Sequence, residues 1–380
     1  MSEIILPGFV DIHDHFREPS SKNLSETYAN ATRMMLASGY AVATDMPNTP
    51  GRETWYPERL EEKHSISQRK AWIAVGQHVG SQPESNNISY LAKLSRTALG
   101  LKFYFGHTTG VDHDYSVDEF RDAAQEWHRV APNKPILAHA VGGELVKEVI
   151  GLVAQDLKHP LHICHTHHPD EVRAVDEAKQ RGLETTIGVT FHHLFMTSYE
   201  TKTKGWFAEM MPALSAQQHA EELSRMLVDG AIDMIETDYA PHAKEAKWKA
   251  ESENPQRIDD PKAHTTCFGV GGIEHAVPMM LRQAKLGNIS YERLTDVMST
   301  APAKLLGIEI GESTRFRWNT KDYRIETEDD MISGAKWSPY LGSLASGRII
   351  DATIGGRTVI ADGKPIKQHH EPLTQRGVTI

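Results

Sequence analysis

Cysteine is almost missing from this chain: Cys164 and Cys267 are the only two in 380 residues. Two thiols cannot build a disulfide framework, and a reducing, cytoplasmic location is the default expectation. Long apolar runs are missing as well. No stretch of about 18 apolar residues could span a bilayer, and the first residues lack the basic, apolar and small-residue pattern of a secretory leader. Positive charge is in deficit, with 41 Lys and Arg against 51 Asp and Glu and a formal net charge of −10. Nucleic acid and anionic membranes are therefore not expected as partners. The same deficit means that an anionic small molecule would need a local cationic site. There is no internal repeat, no low-complexity tract and no glycine-rich phosphate loop.

What remains is an ordinary globular composition, 39% hydrophobic and 24% charged, with a recurring pattern laid over it. Apolar β-type runs alternate with stretches of helical period, as in parallel βα units. Strands are expected around Phe9, Val10 and Ile12, then over 40–46, 71–77, 100–105, 135–139, 161–165, 184–189 and 231–238. Helices are expected over 26–38, 57–69, 88–95, 117–130, 144–155, 171–181, 216–228, 272–285 and 291–306. Eight strands alternating with helices predict a closed (β/α)8 barrel, a fold that often fills such a length alone. A doubly wound open sheet is the alternative, but it usually has fewer units and a phosphate loop. Residues 243–263 are charged and aperiodic, and are expected to be a long loop that is either a functional cover or disordered. Beyond residue 338 the character changes, and 348–354 with 358–361, split by Gly355 and Gly356, read as a β-hairpin. The expected organisation is a barrel over 1–337 and a C-terminal β accessory segment over 338–380. Only six residues precede Pro7, so that segment is expected to be built mainly from the C-terminus.

In such a barrel the active site lies at the C-terminal ends of the strands. The polar residues there are His13, His15, Asn48, Lys102, His139, His165 and Asp238. With 21 histidines in the chain, only those at special positions carry weight. His13 and His15 are two apart on one strand, so both point the same way and can bind one metal ion. Alone, such a pair is more often an accident of a strand end. His139 and His165 each close another β-type run, and four imidazoles from three strands point to two metal ions. His165 shares a strand face with Ile163, which should turn Cys164 toward the helices as a small core residue. His162, His167 and His168 are expected to be solvated or structural, and His193 to reach the rim of the site. Lys102 lies inside an apolar strand, where an isolated ammonium is costly. It is paired with a buried carboxylate, faces solvent at a strand edge, or is carboxylated by CO2, and the converging histidines favour a carbamate that bridges two metals. Asp238 ends the last strand, where a carboxylate can ligate a metal and exchange a proton as general acid/base. A buried Asp that caps the next loop is the plainer alternative.

The stretches His13-Asp14-His15-Phe16-Arg17-Glu18-Pro19, Asp45-Met46-Pro47-Asn48-Thr49, Gly100-Leu101-Lys102, Ala138-His139-Ala140, His162-Ile163-Cys164-His165, His192-His193-Leu194 and Thr237-Asp238-Tyr239-Ala240-Pro241-His242 together resemble the dihydroorotase family of cyclic amidohydrolases. Order and spacing agree from Pro7 to about Leu306, and the tail from Trp337 to Gly363 is similar too. The wording around Lys102 and His165 resembles the branch with a carboxylated lysine. The resemblance implies that His13, His15 and Asp238 bind one zinc ion, that His139 and His165 bind the other, and that carboxylated Lys102 bridges them. It implies that Arg17, Asn48 and His242 hold a substrate carboxylate, that Thr108 and Thr109 lie on a mobile loop, and that the turn Gly269-Val270-Gly271-Gly272 approaches the ring. The implied reaction interconverts N-carbamoyl-L-aspartate and L-dihydroorotate through a metal-activated hydroxide, with Asp238 as general acid/base. The implied partners are a small anionic substrate, a second copy in a homodimer, and aspartate transcarbamoylase. A hydantoinase, dihydropyrimidinase or allantoinase on the same scaffold is the alternative, as is a non-catalytic subunit. Four departures stand out. Val141 and Tyr239 replace a usual Glu and His, Met211-Pro212-Ala213-Leu214 replaces a more polar turn, and Gly188 stands where a related branch carries Glu. The last argues against a third metal involving Cys164.

Overall fold

A computed structural model describes residues 3–19, 26–106, 115–255, 267–329 and 331–366, with short strand segments at 374–375 and 378–379. Nine parallel strand segments form the barrel wall: β2 (Phe9–Val10), β3 (Tyr40–Asp45), β4 (Ala74–Gln77), β5 (Val79–Gly80), β6 (Leu101–Tyr104), β7 (Ile136–His139), β8 (Leu161–Thr166), β9 (Thr185–Thr190) and β10 (Met234–Glu236). They pair as β2-β3-β4 and as β10-β9-β8-β7-β6-β5. Only His78 separates β4 from β5, so these two are one strand that changes partners, and the segments amount to eight staves. Asp14 joins the ends of the series, through parallel bridges to Asp45 on one side and Tyr239 on the other. The (β/α)8 architecture expected from the alternation is the one found. Strands β3, β7 and β8 are buried along their whole length. That is why they read as near-continuous apolar runs: helices cover one face and the barrel interior the other.

Helix ends follow local chemistry. Thr27 caps Tyr28–Ala37 by accepting from the Asn30 amide, and Gly39, at φ 94°, turns the chain into β3. Pro57 opens Pro57–Lys70 at a position where its missing N–H costs nothing. Among the described residues three α-helices lie outside those expected: Phe191–Phe195, Ser198–Lys204 and Lys244–Glu253. Lys244–Glu253 is helical, within the stretch expected to be a loop. Its buried residues are Lys247 and Ala250, so no apolar period marks it. Lys247 is tolerated there because its Nζ donates to the Cys267 carbonyl at 2.6 Å. Residues 256–263 of the same stretch lie outside the described residues.

The accessory sheet is larger than a C-terminal hairpin. Its order is β1 (Glu3–Pro7), β11 (Arg315–Arg324), β12 (Leu344–Ile354), β13 (Arg357–Ala361) and β14 (Lys364–Pro365). The β12–β13 hairpin turns at Gly355 and Gly356 as expected, both with positive φ. The sheet, however, begins well before residue 338 and recruits the N-terminal strand. In β11 the buried Phe316 and Trp318 alternate with Arg315 and Arg317, and they stand opposite Leu6 and Ile4. Period-two alternation was present there, but the charges between the aromatics hid it.

Candidate active site

The ends of the first, second and eighth staves are tied together before any functional group is placed. Asp45, at the end of β3, pairs with the buried Lys63 at 2.7 Å and accepts from the Phe16 amide at 3.2 Å. Asp11 accepts from the amides of His13 and Thr237. At these ends Arg17, His165 and Asp238 adopt positive φ, at 61°, 39° and 46°. Non-glycine residues seldom do so, and the strain concentrates where side chains must be re-aimed.

His165 shows the consequence. Pairing of β8 with β9 skips from Ile163 to Thr166, so the alternation of side chains fails at this point. Cys164 therefore does not face the helices. Its Sγ lies 2.9 Å from Lys102 Nζ, and it packs with Met46 and Leu137, while His165 still enters the cavity. The expectation for Cys164 is corrected by one left-handed residue.

His13, His15, His139, His165 and Asp238 share one cavity, whose wall is completed by Arg17, Asn48, Tyr104 and Gly269 among others. Asp238 Oδ1 lies 3.0 Å from His15 Nε2 and 3.5 Å from His13 Nε2. His139 Nδ1 and His165 Nε2 are 2.9 Å apart. On their far sides, His13 Nδ1 meets Glu236 Oε2 and His15 Nδ1 meets Asn48 Oδ1, each at 2.8 Å. Those acceptors hold the imidazole protons at Nδ1 and leave the Nε2 lone pairs toward Asp238. Burial holds all four histidines below the usual range, His139 at about 3, and the charge of Lys102 pushes each the same way. They are neutral donors at pH 7.

Lys102 is wholly buried, and among the described residues it forms no ion pair with a carboxylate. Burial and the Glu236 charge raise the Asp238 carboxyl to about 8, against the pull of Lys102 and Arg17. Electron-rich nitrogens and a carboxylate oxygen face one another across gaps that a divalent cation fits. The donor atoms of His13, His15 and Asp238 all lie within 4.8 Å of one another. The residues present therefore suit metal ions.

Arg17 donates to the Asn48 carbonyl at 3.1 Å and has no carboxylate partner among the described residues. Its neighbour Glu18 is engaged elsewhere, with Lys70 and with the Tyr28 amide. His242 does not join Arg17 and Asn48 on the wall. Its Nε2 faces the Phe268 carbonyl at 2.8 Å, and so it steadies the segment leading to Gly269. At Gly269, φ is 122° and a Cβ would overlap the Ala240 carbonyl; only glycine fits there. Tyr239 points away from the cavity, its hydroxyl 2.5 Å from Glu26 Oε2, and Val141 is exposed. Neither departure touches the site. His162 is buried rather than solvated, bonded to Thr186 and 3.6 Å from Glu236. His193 stays off the wall, between Thr190 and the Pro212 carbonyl. Thr108 and Thr109 lie outside the described residues.

Two residues escaped the sequence reading. Tyr104 lines the cavity, and its buried hydroxyl has no hydrogen-bond partner among the described residues; its place two residues beyond Lys102, on the same strand face, was the available signal. Glu236 stands likewise two before Asp238.

The amidohydrolase family model matches residues 4–313. The chain belongs to the amidohydrolase family. It is 28% identical to the dihydroorotase of Halobacterium salinarum, over 96% of this chain and 90% of that protein. It is 27% identical to the multifunctional protein CAD of Squalus acanthias over 95% of this chain, and it spans only 15% of that protein's length. The L-hydantoinase (dihydropyrimidinase) of Arthrobacter aurescens superposes with a TM-score of 0.82 at 20% identity, covering 98% of this chain and 89% of its own; that likeness shows the fold. No helix among the described residues is long and apolar enough to cross a membrane.

Proposed function

We propose that the chain is a dihydroorotase, closing N-carbamoyl-L-aspartate to L-dihydroorotate with loss of water and reopening it by hydrolysis. The observation that carries this reading is Arg17, a guanidinium without a carboxylate partner among the described residues, on the wall of a cavity rich in metal donors. A substrate carboxylate would complete it, and a planar fork of N–H donors matches that group. Hydantoin and dihydrouracil lack a carboxylate and would leave this buried charge unmatched.

His13, His15 and Asp238 would hold one divalent ion, His139 and His165 a second, and Lys102, carboxylated on Nζ, would lie between them. Such ions supply Lewis-acid polarisation of the scissile carbonyl and lower the pKa of water. The remaining work falls to the chain. Arg17 and Asn48 orient the ring through its carboxylate. Asp238 accepts a proton from the attacking water and returns it to the leaving ring nitrogen; in ring closure it takes the proton from the ureido nitrogen. The backbone at Gly269 and the Tyr104 hydroxyl, both on the cavity wall, would meet the polar edge of the ring. A non-catalytic subunit would have no use for this complete donor set. A homodimer and an assembly with aspartate transcarbamoylase follow from the same reading.

Turnover of dihydroorotate, with hydantoin and dihydrouracil as competitors, tests the assignment. Arg17→Met should lower kcat/KM for dihydroorotate by roughly 30- to 1,000-fold, the effect of losing a charge-assisted bond in a partly desolvated site. Activity on dihydrouracil, however poor, should change little. Equal losses on charged and uncharged rings would assign Arg17 to support of the metal site instead.

A further inference from the structure

Glu236 is buried completely, in the last barrel strand, and the reaction scheme above does not use it. Both of its oxygens are engaged. Oε2 lies 2.8 Å from His13 Nδ1. Oε1 accepts from the backbone amide of His165 and lies 3.6 Å from His162 Nε2. His13 and His165 belong to opposite halves of the donor set, and their rings approach to 5.0 Å between centroids.

We propose that Glu236 is a positioning residue for the whole metal centre, one carboxylate that fixes the donor nitrogen of His13 and the inward turn of His165. This rests on the metal-centre reading above. An imidazole has one proton to place when neutral. A carboxylate at Nδ1 holds the proton there, raises the ring's basicity and leaves Nε2 bare toward Asp238 Oδ1. At His165 the requirement is different. Its left-handed backbone, at φ 39°, falls where the β8–β9 ladder is interrupted, so its amide needs a partner from outside the sheet. Glu236 supplies it, and an otherwise orphaned buried N–H is avoided.

Gly188 is an independent sign of the same device. It lies on β9 next to β10, and its φ does not require glycine. Space does. A Cβ at 188 would overlap Glu236 Oε1 and come within 2.9 Å of Cδ. The glycine leaves a socket that the Glu236 carboxylate fills. The sequence position that lacks a carboxylate is thus matched by one on the adjacent strand, aimed into the same space.

The test is a metal titration of the demetallated full chain against a chromophoric chelator with Zn2+, read beside the melting temperature of the metal-free protein. Unmodified chain should take up two ions. Glu236→Gln keeps the side-chain shape and should weaken uptake of both ions by about 10- to 100-fold, as loss of a ligand-orienting partner does, with the metal-free melt close to that of the parent. Gly188→Ala, which removes no polar group, should weaken uptake in the same direction by displacing the carboxylate. Affinity unchanged in both variants overturns the proposal, as does a lowered metal-free melt with unchanged affinity. His13, Cys164 and Glu236 also place donor atoms within 4.8 Å of one another. Uptake of three ions, with only one lost in Glu236→Gln, would make Glu236 a ligand and overturn its positioning role. Unmodified chain that binds no ion would overturn this proposal and the metal-centre reading together, whereas unaffected variants of a two-ion chain would sink this proposal alone.

Discussion

Asp238→Asn is expected to leave the barrel folded while lowering turnover in both directions, on the order of 10^2- to 10^4-fold for the proton-transfer role alone. An amide nitrogen or oxygen cannot exchange a proton at neutral pH. The side chain faces His15 and His13 and forms no pair with Lys or Arg among the described residues. Burial and the nearby Glu236 make its negative charge costly to hold in the metal-free chain. Neutralising it should therefore leave metal-free stability unchanged or higher. Initial rates for ring opening and ring closure, taken with a metal-free thermal melt, check this. Near-normal rates in both directions would move proton transfer to another group. His242 would be a poor substitute, since its Nε2 is turned to the Phe268 carbonyl.

Lys102→Ala should be at least as damaging, costing the chain one ion or more and nearly all turnover. Loss of the proposed bridging ligand should exceed the roughly 10- to 100-fold typical of second-sphere substitutions. The argument is electrostatic. An ammonium this deeply buried, with a thiol and an aromatic ring as its near neighbours, depresses the basicity of the four histidines meant to hold cations. Adding CO2 at Nζ forms an N–C bond, releases two protons from the ammonium and turns a repelling charge into an attracting one. Bicarbonate during metal loading should accordingly raise metal content in the parent chain and do nothing for the alanine variant. Small carboxylic acids should restore part of the variant's activity by filling the vacated volume. A crystal structure of active, metal-loaded protein with a bare ammonium at Lys102 would dispose of the idea.

Much of this molecule follows from short-range pattern. Whether a stretch buries one face or two is a local property of the chain. The eight staves and most helices could therefore be placed from periodicity, caps and turn residues, and the strand ends gave the polar residues that converge. His13 and His15 needed nothing more than the two-residue repeat of a strand. Where a charged residue sits on a buried face or between two buried aromatics, local pattern failed: Lys247 hid a helix, and the arginines of β11 hid a strand. Lys247 is stable inside because a distant carbonyl receives it, whereas the β11 arginines stay toward solvent while the distant strand β1 stands opposite the buried aromatics between them.

Tertiary structure alone decided which way the groups at the strand ends point. Alternation placed Cys164 and His165 on opposite faces, yet a positive φ at His165 brings both toward the interior, and the carboxylate that satisfies that amide stands 71 residues away at Glu236. The same holds for Tyr239, drawn from the cavity by Glu26, which is 213 residues away, and for His242, drawn to Phe268. The sequence by itself determined which residues reach the mouth of the barrel, because that is set by strand length and register. Their aim, their tautomers and their pKa values were left to the fold, because a buried polar side chain takes its direction from whichever partner satisfies it, and that partner comes from another strand.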